Sequence, residues 1–158
     1  MSNKDIYYID LAIEKAKEGI DNYQAPFGAC IVRDNSLLAL EYNKVISSVD
    51  ITAHAEIVAI RAACKELNNI NLSGSVIYST CEPCPMCFAA CHWAKIKKIV
   101  YGASIKDAKE AGFDELELSN LYLKNAGGLE IDIVPDVLAD KCKNLFDLWK
   151  KSPKRIIY

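Results

Sequence analysis

The chain reads as an α/β sandwich. Two observations carry that reading. A β-hairpin pattern near the start is followed by helix and strand patterns in alternation. The length, 158 residues, suits one layered domain and leaves no room for a second sizeable core. A hydrophobic share of 51% and a charged share of 25% are ordinary for a globular protein. A single domain over residues 1–158 is therefore expected.

Each element has its own signal. Ile6, Ile9, Ile13 and Ala16 recur at helical spacing, which predicts an amphipathic helix over Asp5 to Lys17. Phe27 to Arg33 and Leu37 to Tyr42 flank the turn residues Asp34-Asn35-Ser36, a hairpin pattern. Ala53 to Leu67 reads as a helix with Thr52 as its N-cap and Ile57, Ile60, Ala63 and Cys64 as apolar positions. Ser75 to Ser79 is a strand leading into a cysteine-bearing loop. A helix then starts near Cys84, because Pro85 is tolerated in a first turn and a run of apolar and small residues follows. Lys98 to Tyr101 is a strand, Asp107 to Leu123 is irregular or helical, and Leu129 to Val134 is a strand. Pro135 opens a last helix that runs to about Trp149. In open α/β sheets, ligand sites lie at the ends of central strands.

Two short motifs carry the chemistry. His54-Ala55-Glu56 is followed about thirty residues later by Pro83-Cys84-Pro85-Met86-Cys87, with Glu82 in front. A catalytic zinc takes three protein ligands, from imidazole and thiolate, and keeps a fourth position open for water. His54, Cys84 and Cys87 make three. The thiolates and the activated water gain from helix N-termini, and both motifs sit at predicted helix starts. Glu56 lies two residues from His54, placed to move protons without ligating the metal. H-x-E followed by P-C-x-x-C is the pattern of a zinc site that deaminates a nucleobase. C-x-x-C alone is also compatible with half a structural zinc finger or a redox pair. A structural site would need a second ligand pair at short spacing, and the other histidine, His92, stands alone. A redox pair would not need His54-x-Glu56. A zinc-stabilised interaction domain would leave Glu56 without a purpose.

Charge and cysteine usage narrow the partners. The net charge is −2 and seven cysteines, an odd number, do not suggest a disulfide framework. Cys30, Cys64, Cys91 and Cys142 fall in apolar patterns and read as small core hydrophobes, while Cys81 lies beside the motif. With no secretory signal and no membrane-length apolar run, a reducing cytoplasm is the expected setting. Lys95, Lys97 and Lys98 form one basic cluster, and Lys150, Lys151, Lys154 and Arg155 another. They read as solvated surface, so a small free substrate is favoured over nucleic acid.

On these motifs the chain resembles the cytidine deaminase-like superfamily over nearly its whole length. That resemblance implies a three-layer sandwich with a five-stranded mixed sheet covered by helices, and one catalytic Zn2+ per subunit. Thr52 to Glu56 and Cys81 to Cys87 look like the purine-acting branch, which holds bacterial guanine deaminases and tRNA adenosine deaminases. Pro26-Phe27-Gly28-Ala29, Glu110 to Asp114, Trp93 and Tyr158 are similar to guanine deaminase segments. The resemblance implies base contacts from Asn43, Phe27, Trp93, Asp114 and Tyr158. It also implies a homodimer whose C-terminal segment, about residues 140–158, is exchanged so that Tyr158 completes the neighbour's site. Ile51, where proline is common, and Ala89, where glycine is, depart from the pattern without touching the zinc set. The expected reaction is guanine to xanthine plus ammonia. A tRNA adenosine deaminase, or a deaminase of cytosine, a nucleoside or an amino-triazine, stays open as an alternative.

Overall fold

A computed structural model describes residues 2–158. Helix α1 (Asn3–Asp21) is longer than its apolar periodicity suggested, because Ser2 and Asp5 form a capping box ahead of it. Strands β1 (Gly28–Arg33) and β2 (Ser36–Tyr42) form the expected hairpin, with Asp34 and Asn35 in left-handed conformations at its tip. A short helix α2 (Val45–Ser48) precedes α3 (Ala55–Glu66). Then follow β3 (Ser75–Cys81), α4 (Pro85–Trp93) and β4 (Lys98–Ala103). The stretch that read as irregular or helical resolves into α5 (Ile105–Ala111) and α6 (Asn120–Ala126), with an irregular segment between them. Strand β5 (Asp132–Val134) and α7 (Ala139–Lys150) complete the chain.

Three boundaries differ from the sequence reading. His54, not Thr52, occupies the N-cap of α3. Thr52 instead donates its backbone N–H and its hydroxyl to Asp50, at 2.8 and 2.6 Å, and so serves the preceding turn. The last helix begins at Ala139, not Pro135, since Asp136 and Leu138 both take positive φ and break the helical path. Strand β5 is only three residues long and lies at the sheet edge, which blunts that edge.

The sheet runs β2-β1-β3-β4-β5. The β1 pairings to β2 and β3 are antiparallel, while β3, β4 and β5 are mutually parallel. Helices α1 and α7 pack together on one face, and α3 and α4 on the other, giving three layers. Ile9, Ile31, Ile77, Ile99 and Trp149 are fully buried between these layers. Each such side chain contributes about 1.5–3 kcal/mol through its removal from water. Helix α1 crosses β1 so closely that a Cβ on Gly28 would sit 2.2 Å from the Ala12 carbonyl oxygen. Only glycine fits there. This topology gathers the ends of β2, β3 and β4 and the start of β1 at one end of the sheet.

Candidate active site

At that end two helices begin side by side. His54 is the N-cap residue of α3 and Cys84 that of α4. Both have extended backbones, and neither side chain caps its own helix, so both are released toward a common point. Cys87 follows in the first turn of α4, behind Pro85 in the first helical position. The His54 Nδ1 atom lies 3.7 Å from Cys84 Sγ and 3.6 Å from Cys87 Sγ. The three donor atoms lie within 4.8 Å of one another. One imidazole and two thiols, mostly buried and at two helix N-termini, match the donor chemistry and count that zinc takes in a catalytic site. The set fits one Zn2+.

Electrostatics favour a cation here. Hydrogen bonding from Cys87, and then from the His54 ring, outweighs burial and holds the Cys84 thiol down at about 4, as a thiolate. Burial would lower His54, but the Cys84 thiolate and the Glu56 carboxyl overcome it and raise the ring to about 9. Cys87 is pushed well up by its bond to Cys84 and by burial. Thiolates and neutral imidazole are the ligating forms, so metal uptake would release protons.

Glu56, in the first turn of α3, is 5% exposed and accepts a hydrogen bond from the Ser79 hydroxyl at 3.3 Å. Burial raises its pKa above the ordinary carboxylate range, which suits a group that must hold and then give up a proton.

A cavity of about 250 Å³ opens beside these groups, and Phe113, Asp114, Glu115 and Tyr158 help to line it. Asn43, fully buried, accepts from the Val45 N–H at 3.1 Å and donates through Nδ2 to the Tyr158 hydroxyl at 2.7 Å. Tyr158 thus reaches the cavity of its own chain, its ring centroid 6.3 Å from that of His54. Asp114 is exposed at the rim.

Glu115 is the acid the sequence reading missed. Burial first, then the negative Cys84 and Glu56, push it up to about 8. It adjoins Asp114 in a segment without periodicity, so its only sequence signal was a second acid after Gly112-Phe113.

Two expected contacts lie elsewhere. Phe27 does not line the cavity. It is buried behind Phe113, edge to face at 4.9 Å, and packs against Phe146 at 5.9 Å, so Phe113 is the ring that lines the cavity. Trp93 is 79% exposed at the last turn of α4 and is also absent from the lining, since the cavity lies at the opposite end of that helix. Cys81 is buried and donates to the Ser104 carbonyl at 3.4 Å.

Comparison with known proteins agrees with a zinc-binding deaminase domain. Residues 2–103 match the family described as the cytidine and deoxycytidylate deaminase zinc-binding region. A guanine deaminase from Bacillus subtilis (strain 168) is 46% identical over 109 residues, 68% of this chain and 70% of its own. A tRNA-specific adenosine deaminase from Buchnera aphidicola subsp. Schizaphis graminum (strain Sg) is 33% identical over 153 residues, 97% of this chain and 98% of its own. Among solved structures, a guanine deaminase from Nitrosomonas europaea superposes with a TM-score of 0.82 at 25% identity, covering 91% of this chain and 83% of that one.

Proposed function

The chain belongs to the cytidine and deoxycytidylate deaminase family, and from that premise we propose that it hydrolyses guanine to xanthine and ammonia. The observation that carries the choice of base is the character of the cavity. Its lining includes two carboxylic side chains, Asp114 and Glu115, and no lysine or arginine. Guanine presents a ring N–H and an amino group, donors that carboxyl oxygens accept. A buried polar partner left unpaired rejects the wrong base strongly. A pocket built to receive a polyanion would gain from cations at its mouth, and here the lining has acids instead.

His54, Cys84 and Cys87 would hold the zinc, which when bound would act as a Lewis acid and bring the pKa of a water molecule to near neutrality. The water oxygen adds to the amino-bearing ring carbon and the bond from that carbon to the amino group breaks. Glu56 carries one proton from the water to the adjacent ring nitrogen and a second, from the added hydroxyl, to the amino group that leaves as ammonia. Phe113 and Tyr158 cover the faces of the base. Asn43, its carbonyl engaged by Val45 and one Nδ2 hydrogen by the Tyr158 hydroxyl, keeps its second Nδ2 hydrogen for an acceptor on the base. Phe27 supports Phe113 from behind. The working unit is a homodimer, and a reducing compartment suits seven cysteines of which none forms a disulfide.

A second reading, deamination of adenosine in tRNA, draws on the nearly end-to-end likeness to the Buchnera enzyme. The exposed residues Lys150, Lys151, Lys154 and Arg155, on the tail that delivers Tyr158, would then meet phosphates. Ammonia release against guanine, guanosine, adenine, cytosine, cytidine and a tRNA anticodon stem-loop separates the two. Turnover of guanine is the expected result. Turnover of the stem-loop with guanine untouched overturns the proposal.

A further inference from the structure

Glu82 stands two residues before the first metal-ligating cysteine and has no part in the reaction just described. It is 5% exposed, and no lysine or arginine pairs with it among the described residues. Its two oxygens accept instead from two backbone N–H groups on different segments. Oε2 accepts from Ile105, the first residue of α5, at 3.2 Å. Oε1 accepts from Asn120, the first residue of α6, at 2.7 Å. The Asn120 side chain returns the contact, its Nδ2 donating to the Pro83 carbonyl at 2.6 Å. The Glu82 N–H is itself fixed to the Ala103 carbonyl at 2.8 Å, just beyond the last pairing of β4.

What lies between Ile105 and Asn120 gives this joint its meaning. Residues 112–119 form neither helix nor strand and carry Phe113, Asp114 and Glu115 to the cavity. Such a segment has no ladder of its own to hold it, so apart from the exposed Lys109–Glu117 ion pair its position depends on its ends and on the buried Phe113 ring. The elements at both ends are tied to one carboxyl group. That group belongs to the same short stretch that sets Cys84.

We propose that Glu82 is a positioning residue: by holding the starts of α5 and α6 it fixes the spacing between the metal-binding loop and the base-reading segment 112–119, and so decides how Glu115 meets the base. This rests on the reading of the site as a guanine deaminase. A misplacement of about 1 Å in a positioning element can lower turnover efficiency on the order of 100-fold.

The Glu82→Gln variant tests it, because an amide keeps the shape but offers one acceptor oxygen where two are used. Zinc content, kcat and KM for guanine are measured for E82Q, for E115Q and for the double variant. Amide hydrogen exchange is followed over residues 112–119. Zinc is expected to stay near one per chain, with KM raised about tenfold or more and kcat changed less. Exchange in 112–119 is expected to quicken. The two substitutions are expected to be non-additive, although the side chains share no hydrogen bond. Unchanged exchange overturns the proposal. So does additivity with a wild-type KM, or loss of zinc in step with activity, which would confine Glu82 to the metal loop. Should E82Q fail to fold, Asn120→Ser loosens the same joint from its other side, and a wild-type KM and exchange pattern there also overturn it. If the wild-type protein leaves guanine untouched, the substrate reading fails on its own. The exchange measurement, and the same cycle on the base that is deaminated, then still decide the role of Glu82.

Discussion

Glu56 and Glu115 show how two carboxyl groups beside one metal-ligand set come to differ. Glu56 sits in the first turn of a helix, fully covered, with Ser79 donating to it. Glu115 sits on an irregular segment and faces the negative Cys84 and Glu56. Replacing Glu56 with Gln removes the proton carrier and leaves all three metal ligands. Turnover should fall by about 10²- to 10⁴-fold, with zinc content unchanged on elemental analysis. An interaction module would lose nothing in the same assay. The acids at 114 and 115 separate in another way. Asp114 is exposed at the rim, and Glu115 lies beside the ligands. Glu115→Gln should therefore lower kcat/KM for guanine by on the order of tenfold or more, the scale of a buried hydrogen bond left unmade. Asp114→Asn should change it much less, and equal losses would return the base-reading role to Asp114. Which of two adjacent acids turns inward was not legible in the sequence, because periodicity assigns faces only within helices and strands. The metal set was legible, because spacing alone brings two helix-start motifs to one ion.

At the scale of elements, the helix starts did most to place the site, and they were also where sequence reasoning slipped. Thr52 is chemically a better cap than His54, yet Asp50 takes both of its donors and the helix begins two residues later. That shift puts His54 at the cap position with its ring free for a ligand role. Pro135 is a good first-turn residue, but the left-handed backbone at Asp136 and Leu138 delays α7 to Ala139. The first case turns on a local bond between residues two apart, whereas beside the second the Val137 N–H donates to the Tyr101 carbonyl at 3.0 Å, a tertiary contact that a single sequence does not display. The start of α5 makes a stability prediction. Burial pushes the Asp107 carboxyl up, but bonds from the Ser104 hydroxyl and N–H and from Lys143 outweigh it and hold it below the ordinary range. A carboxyl lowered in the folded state stabilises above its unfolded value, about 3.9, and that gain is lost as pH falls through the folded value beneath it. Asp107→Asn should then cost about 0.3–1 kcal/mol near neutral pH, the range for a carboxylate at a helix start. The gap from wild type should narrow at acid pH, below that unfolded value. Urea denaturation at both pH values checks it, and an equal gap at each would mean that charge plays no part.

For the whole molecule the open issue is how many chains build one site. No helix is long and apolar enough to cross a membrane among the described residues, yet several apolar side chains stay exposed. Val49 at 94%, Ile51 at 63% and Leu116 at 69% are among them, and Ile51 and Leu116 also line the cavity. Association of two chains would cover such surface, and sizing chromatography that found only a 17.5 kDa species at low concentration would remove the dimer. Whether the tail is exchanged is a separate matter. The family resemblance implied exchange, whereas within this chain Asn43 bonds Tyr158 and the Tyr158 ring lies 6.0 Å from Phe113. Lys154 also sits over the Tyr23 ring at 4.7 Å, a second hold on the same tail. Mixing two crippled variants distinguishes the arrangements. One chain carries Glu56→Gln, and the other Tyr158→Ala. If tails are exchanged, a mixed dimer owns one site with both an intact Glu56 and an intact Tyr158, and activity returns. If each tail serves its own chain, every site in the mixture keeps one defect. The contacts of Tyr158 predict no recovery after the two variants are denatured together and refolded with zinc. Recovery would require the tail to leave the Asn43 of its own chain for that of a partner, and it would make the dimer a condition of catalysis.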